Sequence, residues 1–263
     1  MNKLGKYTLF SLMLMAGANV SAAIVQVQFS NFTGAWVNTT ATAGGGQPTT
    51  IGNGSDNPML RWGIPFNNGG PQSGYDFKST PAFATAFDTN SGTSPDFTLG
   101  MFTHLNNVIS SDGASLLTTD LELNTTVSID GGAPIDVQFV FHFTHNETDN
   151  GADPCANGQA NGAGVNVNGC ADIITVTTAD FSDAITVNGI DYILNIQGFL
   201  ANGMFATEFQ TIEENTNFAL IVANLTARES DVPMPEPASM VYFVSFILAL
   251  TAIRRRFTRK QNQ

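Results

Sequence analysis

Residues 117–129 alternate strictly in side-chain character, and this period of two constrains the fold more than any other feature of the chain. Leu117, Thr119, Leu121, Leu123, Thr125, Val127 and Ile129 point one way in an extended backbone; Thr118, Asp120, Glu122, Asn124, Thr126 and Ser128 point the other. Asp130-Gly131-Gly132 supplies turn chemistry, and residues 135–144 return with Val137, Phe139, Phe141 and Phe143 on the apolar side. The result is a hairpin with one wet face and one face that must be covered.

The same alternation recurs in shorter runs. Strands are expected at 24–32, at 59–65 (stopped by Pro65), and at 97–102, which leads into Thr103-His104-Leu105-Asn106-Asn107. Further strands fall at 173–177, 185–196 around an Asn188-Gly189 turn, 204–212 and 218–225, about ten in all. Residues 38–58 are rich in Gly, Thr and Asn and read as loop. No long amphipathic helix interrupts the strands, and no Pro/Ser-rich linker divides them. The expected fold is all-β: one antiparallel two-sheet sandwich, jelly-roll-like, over residues 23–230.

Both ends differ from this body. Lys3 and Lys6 precede a short apolar run at 9–18 and small residues Val20-Ser21-Ala22, the pattern of a secretory signal peptide over 1–22. At the other end residues 238–253 carry no charge, and at about 1.5 Å per helical residue they nearly span a ~30 Å hydrocarbon core. Arg254, Arg255, Arg256, Arg259 and Lys260 follow at once and would stay cytoplasmic, so the body faces outward. Between these ends three basic residues stand against 21 acidic ones, a net charge of −18. Such a body is not held to nucleic acid or anionic lipid by charge. In an exported protein the lone pair Cys155 and Cys170, bracketing an Asn-Gly-rich loop, is expected to form a disulfide.

Pro235-Glu236-Pro237, the apolar run and the arginine cluster come in that order over 231–263. This arrangement resembles the PEP-CTERM sorting signal of Gram-negative bacteria. The resemblance implies export, temporary anchoring by the C-terminal helix, and removal of that helix by an exosortase, a membrane protease-transpeptidase. A second resemblance rests on Phe97-Thr98-Leu99-Gly100-Met101-Phe102-Thr103-His104-Leu105-Asn106, with Arg61-Trp62-Gly63 upstream and Ser73-Gly74-Tyr75-Asp76-Phe77 between. It looks like the THxN family of PEP-CTERM proteins, also called choice-of-anchor K domains, with Thr103, His104 and Asn106 as the family motif. This implies a sandwich and assigns no catalytic residue. Together the two imply a non-enzymatic surface protein working in or near extracellular polysaccharide, with a carbohydrate-binding module or weak glycan-active enzyme as the alternative.

Several side chains invite chemistry. Thr103, His104, Asn106 and Asn107 either orient a ligand or a metal at the sandwich rim, or the Asn and His side chains hydrogen-bond backbone and close a strand-to-loop corner. His142 and His145 lie three apart on a strand, so they point to opposite faces and read as two isolated histidines. Glu147, Asp149 and Asp153, with Asn146 and Asn150, form an oxygen-rich loop of the kind calcium prefers, yet without EF-hand spacing; a solvated acidic loop is the plainer alternative. Asp120 and Glu122 share the wet strand face without the third acid and aromatics of a glycosidase site. Trp36, Trp62 or Tyr75 would serve the carbohydrate alternative as a stacking platform. The chain has no Gly-x-Ser-x-Gly elbow, no His-Glu-x-x-His and no phosphate-cradling glycine loop.

Overall fold

A computed structural model describes residues 24–67, 69–178 and 184–230. The expected signal peptide at 1–22 and the expected sorting tail, with Pro235, Glu236, Pro237, the uncharged run 238–253 and Arg254, Arg255 and Arg256, lie outside the described residues.

Among the described residues the chain forms fourteen β-strands and two single-turn 3₁₀ segments. In chain order they are β1 (Ile24–Ala41), β2 (Thr49–Ile51), β3 (Met59–Trp62), β4 (Ser73–Ser79), β5 (Phe83–Asp88), β6 (Phe97–Asn106) and β7 (Leu116–Ile129). Then follow β8 (Ile135–Asn146), β9 (Asp172–Thr178), β10 (Ala184–Val187), β11 (Ile190–Ala201), β12 (Met204–Ala206), β13 (Glu208–Thr211) and β14 (Asn215–Glu229). They build two curled antiparallel sheets in a sandwich-like arrangement. One sheet has the order β13-β9-β8-β7-β1-β5; the other runs β10-β11-β14-β6-β4-β3-β2, with β12 added beside β11.

The β7–β8 hairpin forms as its pattern requires, pairing Val127 with Ile135 and Thr118 with Thr144. Asp130 and Gly131 turn the chain with φ of 50° and 69°. Asn188 and Gly189, at 52° and 78°, do the same between β10 and β11, as a two-residue turn matched to strand twist demands. The inward side chains of both sheets meet in one core, where Trp36, Tyr75, Phe102 and Phe143 touch ring to ring.

The structure departs from the sequence pattern at definite points. β1 continues past residue 32 to Ala41, into what reads as loop. Asn31 and Asn38 adopt φ of 56° and 49°, and the β1–β7 register shifts beside each of them. Two bulges thus hide one long strand behind a broken alternation. A further bulge opposes Ala41 to Leu116 after Thr40 to Thr118, so Leu116 is buried and Leu117 is 44% exposed, the reverse of the simple alternation. β6 also runs on through the Thr103-His104-Leu105-Asn106 element, which is strand and not a corner loop. β2 forms inside the stretch read as loop, and β4 and β5 are strands beyond those expected, although Tyr75 and Phe77 alternate with Asp76 and Lys78 on β4.

Candidate functional site

Thr103, His104 and Asn106 sit on β6, in the middle of a sheet between β14 and β4. Period two sends Phe102, His104 and Asn106 to the inner face, and Thr103 to the other side, where it is also buried. On the facing sheet, β8 sends Phe143 and His145 inward, β9 sends Asp172, Ile174 and Val176, and β13 sends Phe209 and Thr211. At this end of the sandwich the two inner faces stop being apolar. His104, His145, Asp172 and Glu213 are all buried there, between sheets that elsewhere bury phenylalanine.

Each histidine is oriented by a hydroxyl on the opposite sheet. His104 Nδ1 lies 2.9 Å from Thr211 Oγ1, and Asn106 Nδ2 donates to the Thr211 carbonyl at 3.2 Å. His145 Nδ1 lies 2.6 Å from the Tyr75 hydroxyl. The second nitrogen of each ring is not engaged by these hydroxyls. His145 Nε2 stands 3.2 Å from Glu147 Oε2 and 3.8 Å from Asp172 Oδ2. His104 Nε2 has no partner, while Trp62 stacks on the His104 ring at 5.9 Å between centroids. One ligand atom from each of His104, His145 and Asp172 lies within 4.8 Å of the others, the one such group of metal-ligand types among the described residues.

The electrostatics follow from burial. Loss of water, reinforced by His145, holds His104 well below the ordinary imidazole range, so the ring is neutral near pH 7. Burial first, then repulsion from Glu147, pushes Asp172 well above the usual carboxylate range, although Oδ1 accepts the Thr148 N–H at 2.9 Å. The same two causes raise Glu213 to about 7, against the opposing pull of the Asn150 and Asn106 amides. With its amide nitrogen facing inward, Asn150 donates to Glu213 Oε2 at 3.2 Å and to the Cys170 carbonyl at 3.1 Å. Burial, then Asp172 and Glu147, likewise keeps the Tyr75 phenol protonated far above its ordinary value.

The other expected residues are dispersed. Asp149 Oδ1 accepts the Gly151 N–H at 2.9 Å and Asp153 Oδ1 the Asn161 N–H at 3.3 Å, each serving its own loop, while Glu147 turns toward His145. His142 and His145 take opposite faces as expected, but neither is isolated: His142 Nδ1 meets Asp120 Oδ1 at 2.6 Å on the outer face. That contact, with the Asn38 amide at 2.8 Å, covers Asp120, while Glu122 stays half-buried beside Gln138. Cys155 and Cys170 are joined in a disulfide with Cα atoms 5.3 Å apart. Asn157 and Asn166 exchange amide hydrogen bonds inside the loop it closes.

Trp36, Trp62 and Tyr75 are core residues, each at most 1% exposed, so the stacking platform is not formed by them. They belong to the ring cluster that seals the polar site, and sheet stacking drives them inward. Asp172, Thr211 and Glu213 carried no motif, yet their positions held a signal. Asp172 shares parity with Ile174 and Val176, and Thr211 with Phe209, so each lies on an inward course of its strand. No family model and no curated protein matches the chain.

Proposed function

We propose that this chain is an exported, non-enzymatic β-sandwich protein, delivered to the cell surface or the extracellular matrix after an exosortase removes its C-terminal helix. On this reading 1–22 is the signal peptide, 238–253 anchors the precursor in the membrane, and the jelly-roll-like body acts in or near extracellular polysaccharide. The observation that carries it is the ordered tail, Pro235-Glu236-Pro237, uncharged run, then Arg254, Arg255 and Arg256, behind a disulfide-closed all-β body with net charge −18. The disulfide supports an oxidising compartment. The carbohydrate-module alternative loses its three named aromatics to the core.

The test is processing in a host that bears an exosortase. Proline at 235 and 237 disfavours helix on either side of Glu236. Glu236→Ala should give a larger, membrane-retained species with an unchanged body. Trimming and release of this variant at the wild-type rate would mean that the tail is only an anchor.

A further inference from the structure

Five buried side-chain atoms lack any hydrogen-bond partner among the described residues: Trp62 Nε1, His104 Nε2, Asn106 Oδ1, Asp172 Oδ2 and Glu213 Oε1. All five belong to the polar cluster between the sheets. Buried polar atoms are normally paired, so a concentration of exceptions in one place needs a cause. Charge adds a second irregularity. Asp172, Glu213 and Glu147 crowd one site, yet no Lys or Arg among the described residues enters it. The three basic side chains of the described residues are engaged elsewhere, Arg61 with Asp76, Lys78 with Asp56 and Arg228 beside Asp191.

We propose that His104, His145 and Asp172 bind a first-row divalent metal ion of the zinc class, with Glu147 as fourth ligand, and that the ion ties the two sheets together. His104 comes from β6 in one sheet; His145 and Asp172 come from β8 and β9 in the other. Their ligand atoms already lie within 4.8 Å of one another. Ligands of a tetrahedral zinc stand about 3.3 Å apart, so small side-chain adjustments complete the shell. Thr211 and Tyr75 occupy the Nδ1 atoms, which leaves both Nε2 lone pairs for the ion and fixes each ring, the outer-shell support that metal-bound histidine normally receives. Two imidazole nitrogens select zinc and its neighbours over calcium or magnesium, which take oxygen shells. A surface cleft of about 500 Å³ between Phe66, Ile109 and the 147–150 loop has Glu147, the fourth ligand, in its wall.

The experiment uses the full chain purified in detergent, stripped with a strong chelator, loaded with Zn²⁺ and dialysed into metal-free buffer. Elemental analysis should find about one zinc per chain. Co²⁺ loading should give the intense visible bands of a four-coordinate nitrogen–oxygen site. His104→Gln and Asp172→Asn, with circular dichroism like wild type, should lower zinc retention at least about tenfold. His142→Gln, on the outer face, should leave it unchanged. If a variant does not fold, histidine ¹⁵N spectra of the wild type decide, since two Nε2 resonances must move on zinc loading. A folded wild type that retains no zinc, that prefers calcium, or whose zinc is indifferent to H104Q and D172N overturns the proposal.

Discussion

His104 and His145 rise from opposite sheets and meet edge to face, with ring centroids 5.2 Å apart and planes at 81°. Neither ring is accessible to water, and neither has a charged cation nearby. Burying two imidazoles side by side is costly unless their nitrogens find partners. Thr211 holds the first and Tyr75 the second, so the meeting point depends on side chains remote from it in sequence.

Thr211 is therefore a sensitive position. Its hydroxyl serves His104 Nδ1 and Asn106 Nδ2, at 2.9 and 3.3 Å. Thr211→Val keeps the shape and β propensity but removes the oxygen from a buried site. The expected loss is about 1–3 kcal/mol, because buried His104 Nδ1 loses its partner while Asn106 Nδ2 keeps the residue 211 carbonyl. Urea unfolding of wild type and variant measures it. An unchanged midpoint would mean that water already reaches His104.

Glu213 should give the metal-free protein a pH dependence opposite in sign to ordinary acid denaturation. Its folded pKa of about 7 lies above the ordinary 4.5. The unfolded chain therefore ionises first as pH rises. The contribution to stability is fully present below the ordinary value and is lost as pH climbs toward and through 7. In excess chelator, stability should fall between pH 5 and pH 8, and Glu213→Gln should flatten that fall by about 2 kcal/mol. Asp172, raised in the same direction, leaves part of the slope in place. A variant whose pH profile superimposes on wild type would show that Glu213 is hydrated in solution.

How much of this was legible in the sequence follows from what alternation can and cannot carry. The β7–β8 hairpin and the Asn188-Gly189 turn were readable because local pattern and turn chemistry agree there. β1 was only half readable, since Asn31 and Asn38 reverse φ and break the alternation without ending the strand. The inward direction of His145 follows from its strand parity with Phe143, and that of Asp172 from Ile174. Their convergence with His104 does not, because period two relates residues of one strand, while stacking of two sheets brings these strands together. The error over Trp62 has the same origin. Trp62 lies on the strand expected at 59–65, but so short a run does not say which of its faces is covered until β3 is placed inside a sheet. Gly63, at φ 81° with Ile109 where its Cβ would be, then turns the chain away.

Trp62→Ala is thus a core substitution and not a probe of carbohydrate binding. The indole is fully buried, stacks on His104, and meets Tyr75 edge to face at 4.9 Å. Truncation should cost about 3–5 kcal/mol. It should also release the ring that positions His104. Denaturant unfolding checks the first effect. A stability loss below about 1 kcal/mol would place the side chain on the surface after all.

The disulfide offers the last test, because it lies against the polar site as well as closing a loop. Cys170 is fully buried; its carbonyl accepts from Asn150 and from the Thr148 hydroxyl, the latter at 2.8 Å. Thr148 in turn donates its N–H to Asp172, so the bridge, the 147–150 loop and the carboxylate form one connected unit. Cross-linking residues 15 apart in sequence removes unfolded-state freedom worth about 3 kcal/mol in the chain-entropy model. Replacing both cysteines with serine should therefore lower global stability by about that amount, read from denaturant unfolding. Limited proteolysis should then cut first within 156–169, whose Asn157–Asn166 amide pair is weaker than the covalent bond it accompanies. If the double variant unfolds at the wild-type denaturant concentration, the internal asparagine bonds alone hold the loop, and the bridge serves only after the surrounding fold has formed.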